Sequence, residues 1–221
     1  MTNRMKYRCL IFDHDDTTVN STAKIHYPSF VEFMKIYRPG IHYSLDDYVR
    51  YNFHPGVIEF FSRICALSPK ELEEEQQFWF EFAQNHTADA FSGIKEIMDI
   101  QRANGGIIAV ISHSFAENIL KDYRYNNLPE PDIIFGWEQP KEERKPSPIP
   151  VQKIMQKYDL KPEEVLVIDD LKPGLDMARA AGVTFAAACW CFDIPENEEY
   201  MRQNADYVFK SVEQLKIHCF E

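Results

Sequence analysis

The sequence has no hydrophobic run long enough to cross a membrane. Its apolar segments have the length of β-strands, as in residues 107–111, whereas a transmembrane helix needs about 20 consecutive apolar residues. Residues 1–6 are polar and basic, and no apolar segment of a signal peptide follows them. We therefore expect a cytoplasmic protein that has no membrane partner.

The sequence also lacks an excess of positive charge and a regular framework of cysteines. It contains 24 Lys and Arg residues against 35 Asp and Glu residues, a net charge of −11, and five cysteines. Because nucleic acids are bound through clustered Lys and Arg, this composition argues against a nucleic-acid partner. An odd number of cysteines without a pattern is typical of free thiols in a reducing compartment.

Neither an internal repeat nor a low-complexity segment is present in the 221 residues. The apolar content of 45% and the aromatic content of 14% are sufficient for a packed core. The length lies between one typical domain and two, which predicts one core with an insertion.

Short apolar segments alternate with amphipathic helices along most of the chain. The apolar segments are residues 9–12, 107–111, 133–135, 165–168 and 184–188. Runs that are apolar throughout are typical of parallel strands buried on both faces. The alternation predicts an α/β fold with a Rossmann-like, doubly wound parallel sheet.

Residues 21–89 interrupt this alternation, because they contain helical patterns and no strand-like run. Phe30 and Phe33 lie at helical spacing, and Ser68-Pro69-Lys70-Glu71 has the pattern of a capping box with proline at the first helical position. We therefore expect an all-helical cap domain at residues 21–89. It would be inserted into a core formed by residues 1–20 and 90–221.

Three of the predicted strands end in residues that can take part in chemistry: Asp13 and Asp15 after the first, Ser112 after the second, and Asp169-Asp170 after the fourth. Ligands of open α/β sheets bind at the carboxyl ends of the strands, so we expect these groups to converge. Carboxylates two residues apart in an extended segment face the same side and repel each other. A hard cation such as Mg²⁺ relieves that repulsion. Lys145, in a loop stiffened by prolines, adds one positive charge.

The same residues resemble the four signature motifs of the haloacid dehalogenase-like hydrolases, in the same order. Residues 11–17, Ile-Phe-Asp-His-Asp-Asp-Thr, are similar to the first motif, usually D-x-D-G-T after a hydrophobic strand. Ser112 matches the second motif, Lys145 the third, and Asp169-Asp170 the acidic fourth. Four motifs in order are far more specific than one acidic turn. The resemblance covers about two-thirds of the chain, and residues 21–89 occupy the place of the family's first-type cap.

The resemblance implies a Mg²⁺-dependent phosphatase that hydrolyses a small phosphorylated metabolite through an aspartyl-phosphate. Asp13 would be the nucleophile that takes the phosphoryl group. Asp15 would protonate the leaving oxygen and then deprotonate the water that hydrolyses the intermediate.

The resemblance also assigns the groups that bind phosphate and metal. The phosphoryl oxygens would be held by Ser112, Lys145 and His113, the last through its backbone. Mg²⁺ would be bound by Asp13, the backbone carbonyl of Asp15, and Asp170, with Asp169 coordinating directly or through water.

Two positions depart from the family pattern. Asp16 stands where the first motif usually has glycine, and we expect the turn to be kept because Asp tolerates left-handed geometry better than most residues. The fourth motif is commonly G-D-x-x-x-D, whereas here the second acid is next to the first. The β-phosphoglucomutase-like members share this variant, and we expect metal binding to persist.

Several other residues are expected to have ordinary roles. His14 adjoins the first motif and would contribute through its backbone. His26, His42 and His54 lack metal-ligand spacing and are interpreted as polar or packing residues. The aromatic residues of 78–82 are interpreted as helix packing.

Two alternative functions stay open. A phosphomutase of the β-phosphoglucomutase type, favoured by the fourth motif, would return the phosphate to a sugar. A non-catalytic regulatory or binding protein on the same scaffold is the alternative from a different class, and the joint presence of Asp13, Asp15, Lys145 and Asp170 argues against it. We expect a monomer or a weak homodimer.

Overall fold

The computed structural model describes residues 5–220, which form a parallel sheet of six strands with helices around it. The strands are β1 Cys9–Phe12, β2 Ile107–Ile111, β3 Ile133–Phe135, β4 Val165–Asp169, β5 Thr184–Ala188 and β6 Tyr207–Phe209. Their order is β3-β2-β1-β4-β5-β6, and every neighbouring pair is parallel. This confirms the predicted Rossmann-like α/β fold. Residues 1–4 and 221 of the predicted core lie outside the described residues.

The central strand β1 is buried on both faces, as its uninterrupted apolar sequence predicts. Leu10 and Phe12 pack into one apolar cluster, and Cys9 and Ile11 pack into a second cluster on the opposite face. All four side chains are fully buried. Since side chains alternate along a strand, a four-residue segment is enough to join both layers of the core.

Helices cover both faces of the sheet. The first cluster includes side chains of α5 Ile94–Ala103, α6 Ala116–Tyr125 and α10 Val212–Cys219. The second includes side chains of α7 Ile149–Tyr158, α8 Lys172–Ala181 and α9 Pro195–Asn204. No helix within residues 5–220 is both long enough and apolar enough to span a bilayer.

Residues 22–84, called the helical insert below, lie between β1 and β2 and contain no strand. The helices of the insert are α1 Tyr27–Tyr37, α2 Leu45–Tyr51, α3 Val57–Glu59 and α4 Pro69–Gln84. Shorter helical turns cover Thr22–His26, Asn52–Gly56 and Phe60–Ile64. Helix α4 begins as the sequence predicts, because the Ser68 side chain accepts a hydrogen bond from the Glu71 backbone in a capping box.

The insert has its own apolar cluster, apart from the two clusters of the sheet. Its buried members are Phe30, Phe33, Met34, Tyr48, Phe60, Phe61, Cys65 and Leu67. Phe60 is fully buried at its centre, with ring centroids 4.9 Å from Tyr51 and 5.4 Å from Phe30. The division into a cap at 21–89 and a core at 1–20 and 90–221 stays a prediction.

Truncation of Phe60 tests the importance of this cluster. We expect Phe60→Ala to lower the free energy of unfolding by about 3–5 kcal/mol, because it leaves a cavity among aromatic rings. Ile36→Ala is the control, since Ile36 is 65% exposed on α1, and its effect should be about 0.5 kcal/mol or less. Urea denaturation followed by circular dichroism measures both changes. Equal losses in the two variants would contradict the assignment of Phe60 to a packed core.

Candidate active site

Asp13 follows directly after the central strand, at the carboxyl edge of the sheet. Its backbone N–H donates to the carbonyl of Ile168 at 2.8 Å, and its own carbonyl accepts the Thr18 hydroxyl at 2.7 Å. The residue is 5% exposed. The backbone of Asp13 is therefore fixed on two sides, which determines where its carboxylate lies.

The turn after Asp13 has the left-handed geometry expected at Asp16, whose φ is +56°. The carboxylate of Asp16 accepts the backbone N–H of Thr22 at 3.0 Å, which joins the turn to the start of the helical insert. Burial raises the pKa of Asp16 to about 6, although the hydrogen bonds from Thr22 act against this. The departure from glycine is thus accommodated without loss of the turn.

Lys145 lies between two carboxylates. Its ammonium nitrogen is 2.8 Å from Oδ1 of Asp13 and 2.6 Å from Oδ2 of Asp169, and all three side chains are buried. Burial alone would lower the pKa of Lys145, but the two carboxylates more than reverse this and raise it. The ammonium therefore stays charged.

Asp169 and Asp170 complete an acidic cluster with Asp13. One carboxylate oxygen from each residue lies within 4.8 Å of the other two. Burial raises the pKa of Asp169 to about 7 against the opposing effect of Lys145. Burial, and next the charge of Asp169, raise the pKa of Asp170 well above its usual range.

The net negative charge of this cluster can be compensated by a divalent cation. One ammonium faces three carboxylates, so two negative charges are uncompensated when all three acids are ionised. Oxygen ligands crowded in this way suit a hard cation such as Mg²⁺. The donor set therefore fits the metal that the resemblance implies.

Asp15 is not part of this trio, because three donors from other segments hold its carboxylate. Ser21 Oγ donates at 2.7 Å, Ser114 Oγ at 2.6 Å, and His26 Nε2 lies at 2.8 Å. Burial alone would raise the pKa of Asp15, but His26 and these hydrogen bonds lower it below its usual range. The arrangement stabilises the carboxylate form of Asp15.

His26 has a role that the sequence did not indicate. Its Nε2 faces Asp15, and its Nδ1 accepts the indole N–H of Trp79 at 2.7 Å. Burial lowers the pKa of His26, and the neighbouring Asp15 more than reverses this. The hydrogen bond from the Trp79 indole has the opposite effect on the pKa of His26. A protonated imidazole has no lone pair at Nδ1 and therefore cannot accept the indole N–H. The Trp79 contact thus favours a neutral imidazole that donates from Nε2 to Asp15, whereas the charge of Asp15 favours the imidazolium.

Ser112 and His113 lie at the end of β2. The Ser112 hydroxyl oxygen accepts the backbone N–H of Ser114 at 3.1 Å, which leaves its hydrogen free to be donated. His113 Nε2 is 3.1 Å from the carbonyl of Lys145. Burial and the charge of Lys145 lower the pKa of His113 to about 4, so its ring is neutral. The ring supports the loop that carries Lys145 through the contact with the Lys145 carbonyl.

The structure therefore brings Asp13, Lys145, Asp169 and Asp170 into direct proximity, with Ser112 and Asp15 beside them in one cavity. Sequence reasoning missed Ser114, His26 and Trp79. His14, expected to have no side-chain role in the site, is directed to Asp122 at 3.2 Å. Position near a motif was the one available signal for Ser114, and no spacing rule indicated the other two.

The cavity has a volume of about 350 Å³, within the range of small-molecule sites. Its floor is formed by the strand-end residues described above. Its walls include side chains of α2, α3 and α4 of the helical insert, such as Tyr48, Ile58, Glu75 and Trp79. The insert therefore faces the carboxyl edge of the sheet.

Residues 10–188 match the model of the haloacid dehalogenase-like hydrolases. The chain belongs to this family. The four motifs predicted this membership, and the enzyme's candidate site is built at the sheet edge that carries them.

Two relatives that cover most of the chain are named pyrophosphatases. The pyrophosphatase PpaX of Halalkalibacterium halodurans is 26% identical over 216 residues, which are 96% of this chain and 96% of that protein. PpaX of Bacillus cereus is 24% identical over 186 residues, or 84% and 85% of the two chains.

Solved structures share the fold. A haloacid dehalogenase-like hydrolase from Bacteroides fragilis superposes with a TM-score of 0.77 at 25% identity, over 95% of this chain and 100% of that chain. A protein described as a predicted phosphoglycolate phosphatase from Haemophilus somnus has a TM-score of 0.75 at 19% identity, over 96% and 98%.

Replacement of Trp79 tests the contact that sets the state of His26. We expect Trp79→Phe to raise the pKa of His26, because Nδ1 can then take a proton while Asp15 stabilises the resulting charge. Trp137→Phe is the control, since it removes another indole of the cavity that does not contact His26. NMR titration of the imidazole measures the shift. A pKa that stays unchanged or falls would contradict the assignment.

Proposed function

We propose that the protein is a Mg²⁺-dependent phosphatase that hydrolyses a small phosphorylated metabolite through an aspartyl-phosphate. The observation that carries the proposal is the buried contact of Lys145 with Asp13 and Asp169, beside Asp170 at the floor of the cavity. A nucleophilic carboxylate, a fixed cation and a cation-binding cluster are the groups that phosphoryl transfer requires.

In the proposed first step, a carboxylate oxygen of Asp13 attacks the phosphorus of the ester. The new bond joins that oxygen to phosphorus, and the bond from phosphorus to the leaving oxygen breaks. The electron pair stays on the leaving oxygen, which takes a proton from Asp15. The oxygen of a water molecule then bonds to the phosphorus of the aspartyl-phosphate while Asp15 accepts a proton of that water. The bond from phosphorus to the Asp13 oxygen breaks, its electron pair returns to the Asp13 carboxylate, and phosphate is released.

The hydrogen bonds of Asp15 bear on its two proposed roles. Its contacts with Ser21, Ser114 and His26 favour the ionised form, which is the form needed to accept a proton from water. To act as an acid in the first step, Asp15 must gain a proton and weaken these contacts. The geometry therefore supports the base role directly and makes the acid role dependent on rearrangement at His26.

Three groups are proposed to hold the transferred phosphoryl oxygens. Lys145 supplies a fixed positive charge, and Ser112 supplies a hydroxyl hydrogen that no other described group takes. His113 contributes through its backbone, since its ring is directed to the carbonyl of Lys145. Donors fixed in advance by folding stabilise charge in the transition state without reorganisation.

Mg²⁺ would be held by Asp13 and Asp170, with the Asp15 carbonyl and Asp169 completing the set. The bound cation would neutralise charge on the phosphoryl oxygens. In the described conformation Asp169 is also bonded to Lys145 at 2.6 Å and to the Leu171 N–H at 2.8 Å. These contacts favour coordination through water for Asp169. A cytoplasmic location and a monomeric or weakly dimeric state stay predictions.

Replacement of the nucleophile is the first test. We expect Asp13→Asn to reduce phosphate release from p-nitrophenyl phosphate by about a thousandfold or more, because the amide does not form the intermediate. Asp176→Asn is the control, since Asp176 is exposed on α8, and it should keep full activity. Circular dichroism checks that both variants fold. Full activity of Asp13→Asn would exclude the nucleophile assignment.

The metal site is tested through Gly174, because a Cβ at this position would overlap the carboxylate of Asp169. We expect Gly174→Ala to weaken Mg²⁺ binding by about tenfold or more, as displacement of supporting groups around metal ligands does. Ala180→Ser, at an exposed position of the same helix, is the control. Isothermal titration calorimetry with Mg²⁺ measures both. Unchanged affinity in Gly174→Ala would count against the acidic cluster as the binding site.

A further inference from the structure

Among the residues that the structure describes, the lining of the cavity offers no free lysine or arginine to a second anionic group of a substrate. Within residues 5–220, Lys145 is the one lysine or arginine that lines it, and its ammonium already contacts Asp13 and Asp169. The ring of His113 is neutral, and Nε2 of His26 faces Asp15. One phosphoryl group can be matched by the proposed metal and Lys145, but a second phosphate or a carboxylate would find no further lysine or arginine among the lining residues.

One face of α4 forms the wall opposite this floor. Leu72, Glu75, Gln76 and Trp79 all line the cavity, and their spacing of three, four and seven residues places them on one side of the helix. Trp79 reaches the floor through its hydrogen bond to His26. Glu75 lies four residues before Trp79, about one helical turn away on the same side of α4.

Glu75 lacks a partner in the part of the chain that the structure describes. Among the hydrogen bonds and ion pairs of residues 5–220, none involves its carboxylate, although the residue is half-buried. Burial raises the pKa of Glu75 to about 7, against a smaller opposing effect of His26. A carboxylate withdrawn from water without a donor is unfavourable, and a cation placed beside it removes that penalty.

Aromatic rings also line the cavity. Tyr48, Phe61, Trp79 and Trp137 all line it. Aromatic faces attract ammonium groups through their quadrupoles, and tryptophan does so most strongly. A cavity that is lined by a half-buried carboxylate and by aromatic rings is therefore suited to an amine or a quaternary ammonium group.

We propose that the preferred substrates are phosphomonoesters of small amino alcohols, with the phosphate on the strand-end floor and the ammonium group beside Glu75 and Trp79. This inference rests on the proposed phosphatase function and adds its substrate class. It sets this chain apart from the relatives named pyrophosphatase, because pyrophosphate carries a second phosphate. It also argues against a phosphomutase, which must bind a second phosphate across the cavity.

A matched series of three esters tests the substrate class on the unaltered enzyme. The series is 2-aminoethyl phosphate, 2-hydroxyethyl phosphate and phosphoglycolate, with p-nitrophenyl phosphate and pyrophosphate assayed in parallel. We expect kcat/KM to be highest for 2-aminoethyl phosphate, lower for 2-hydroxyethyl phosphate and lowest for phosphoglycolate. The difference between the amine and the carboxylate should be about tenfold or more. Phosphoglycolate or pyrophosphate hydrolysed as well as the amine would overturn the inference.

The generic ester separates this inference from the function on which it rests. Hydrolysis of p-nitrophenyl phosphate without preference for the amine would overturn the substrate class and leave the phosphatase proposal standing. Failure to hydrolyse any of the esters in the presence of Mg²⁺ would contradict the phosphatase proposal itself.

The variant Glu75→Gln tests the proposed role of Glu75 in binding the ammonium group. We expect the ratio of kcat/KM between 2-aminoethyl and 2-hydroxyethyl phosphate to fall at least about fivefold, chiefly through KM of the amine, because the uncharged amide loses the attraction. Glu74→Gln is the matched control, one residue away on α4 and outside the cavity lining, and it should leave the ratio unchanged. An unchanged ratio in Glu75→Gln would overturn the assignment, and thermal melting confirms that both variants fold.

Discussion

Lys145 lies 2.8 Å from Asp13 and 2.6 Å from Asp169, and the remainder of the site depends on this buried contact. The two acids are neighbours because β1 and β4 pair in parallel, with Phe12 opposite Ile168. Carboxylates buried side by side repel each other, and removing one partner of a buried charge pair commonly costs about 3–5 kcal/mol. The ammonium thus permits the sheet to place several acids at one edge, and it leaves enough negative charge for a divalent cation.

The fold and the floor of the site follow from local patterns in the sequence. Strands buried on both faces are apolar throughout, and the reactive residues come directly after them, so Asp13 and Ser112 could be placed from chain position alone. Asp16 could be assigned to a left-handed turn because Asp tolerates that backbone better than most residues. These features can be predicted without knowing any contact between residues that are far apart in the sequence.

The wall of the site could not be predicted in this way. His26 and Trp79 lie 53 residues apart and meet through one hydrogen bond. An aromatic residue on an amphipathic helix gives the same pattern whether its face meets another helix or a cavity. The interpretation of residues 78–82 as packing holds for Phe78, which lies against Phe33, while Trp79 also lines the cavity. Helical periodicity identifies a buried face and leaves its partner undetermined.

The floor and the wall of the site are therefore determined by different constraints. The position of the floor is fixed by strand pairing and by charges that balance one another, and its residues are those that resemble the family motifs. The part of the wall that α4 supplies, including Glu75 and Trp79, belongs to the helical insert and takes no part in the pairing of the strands. One contact joins the floor and the wall, since Trp79 holds His26 and His26 holds Asp15. A ligand that moves α4 would therefore change the hydrogen bonding of Asp15, and in the proposed mechanism this would link recognition of the leaving group to the proton transfer that releases it.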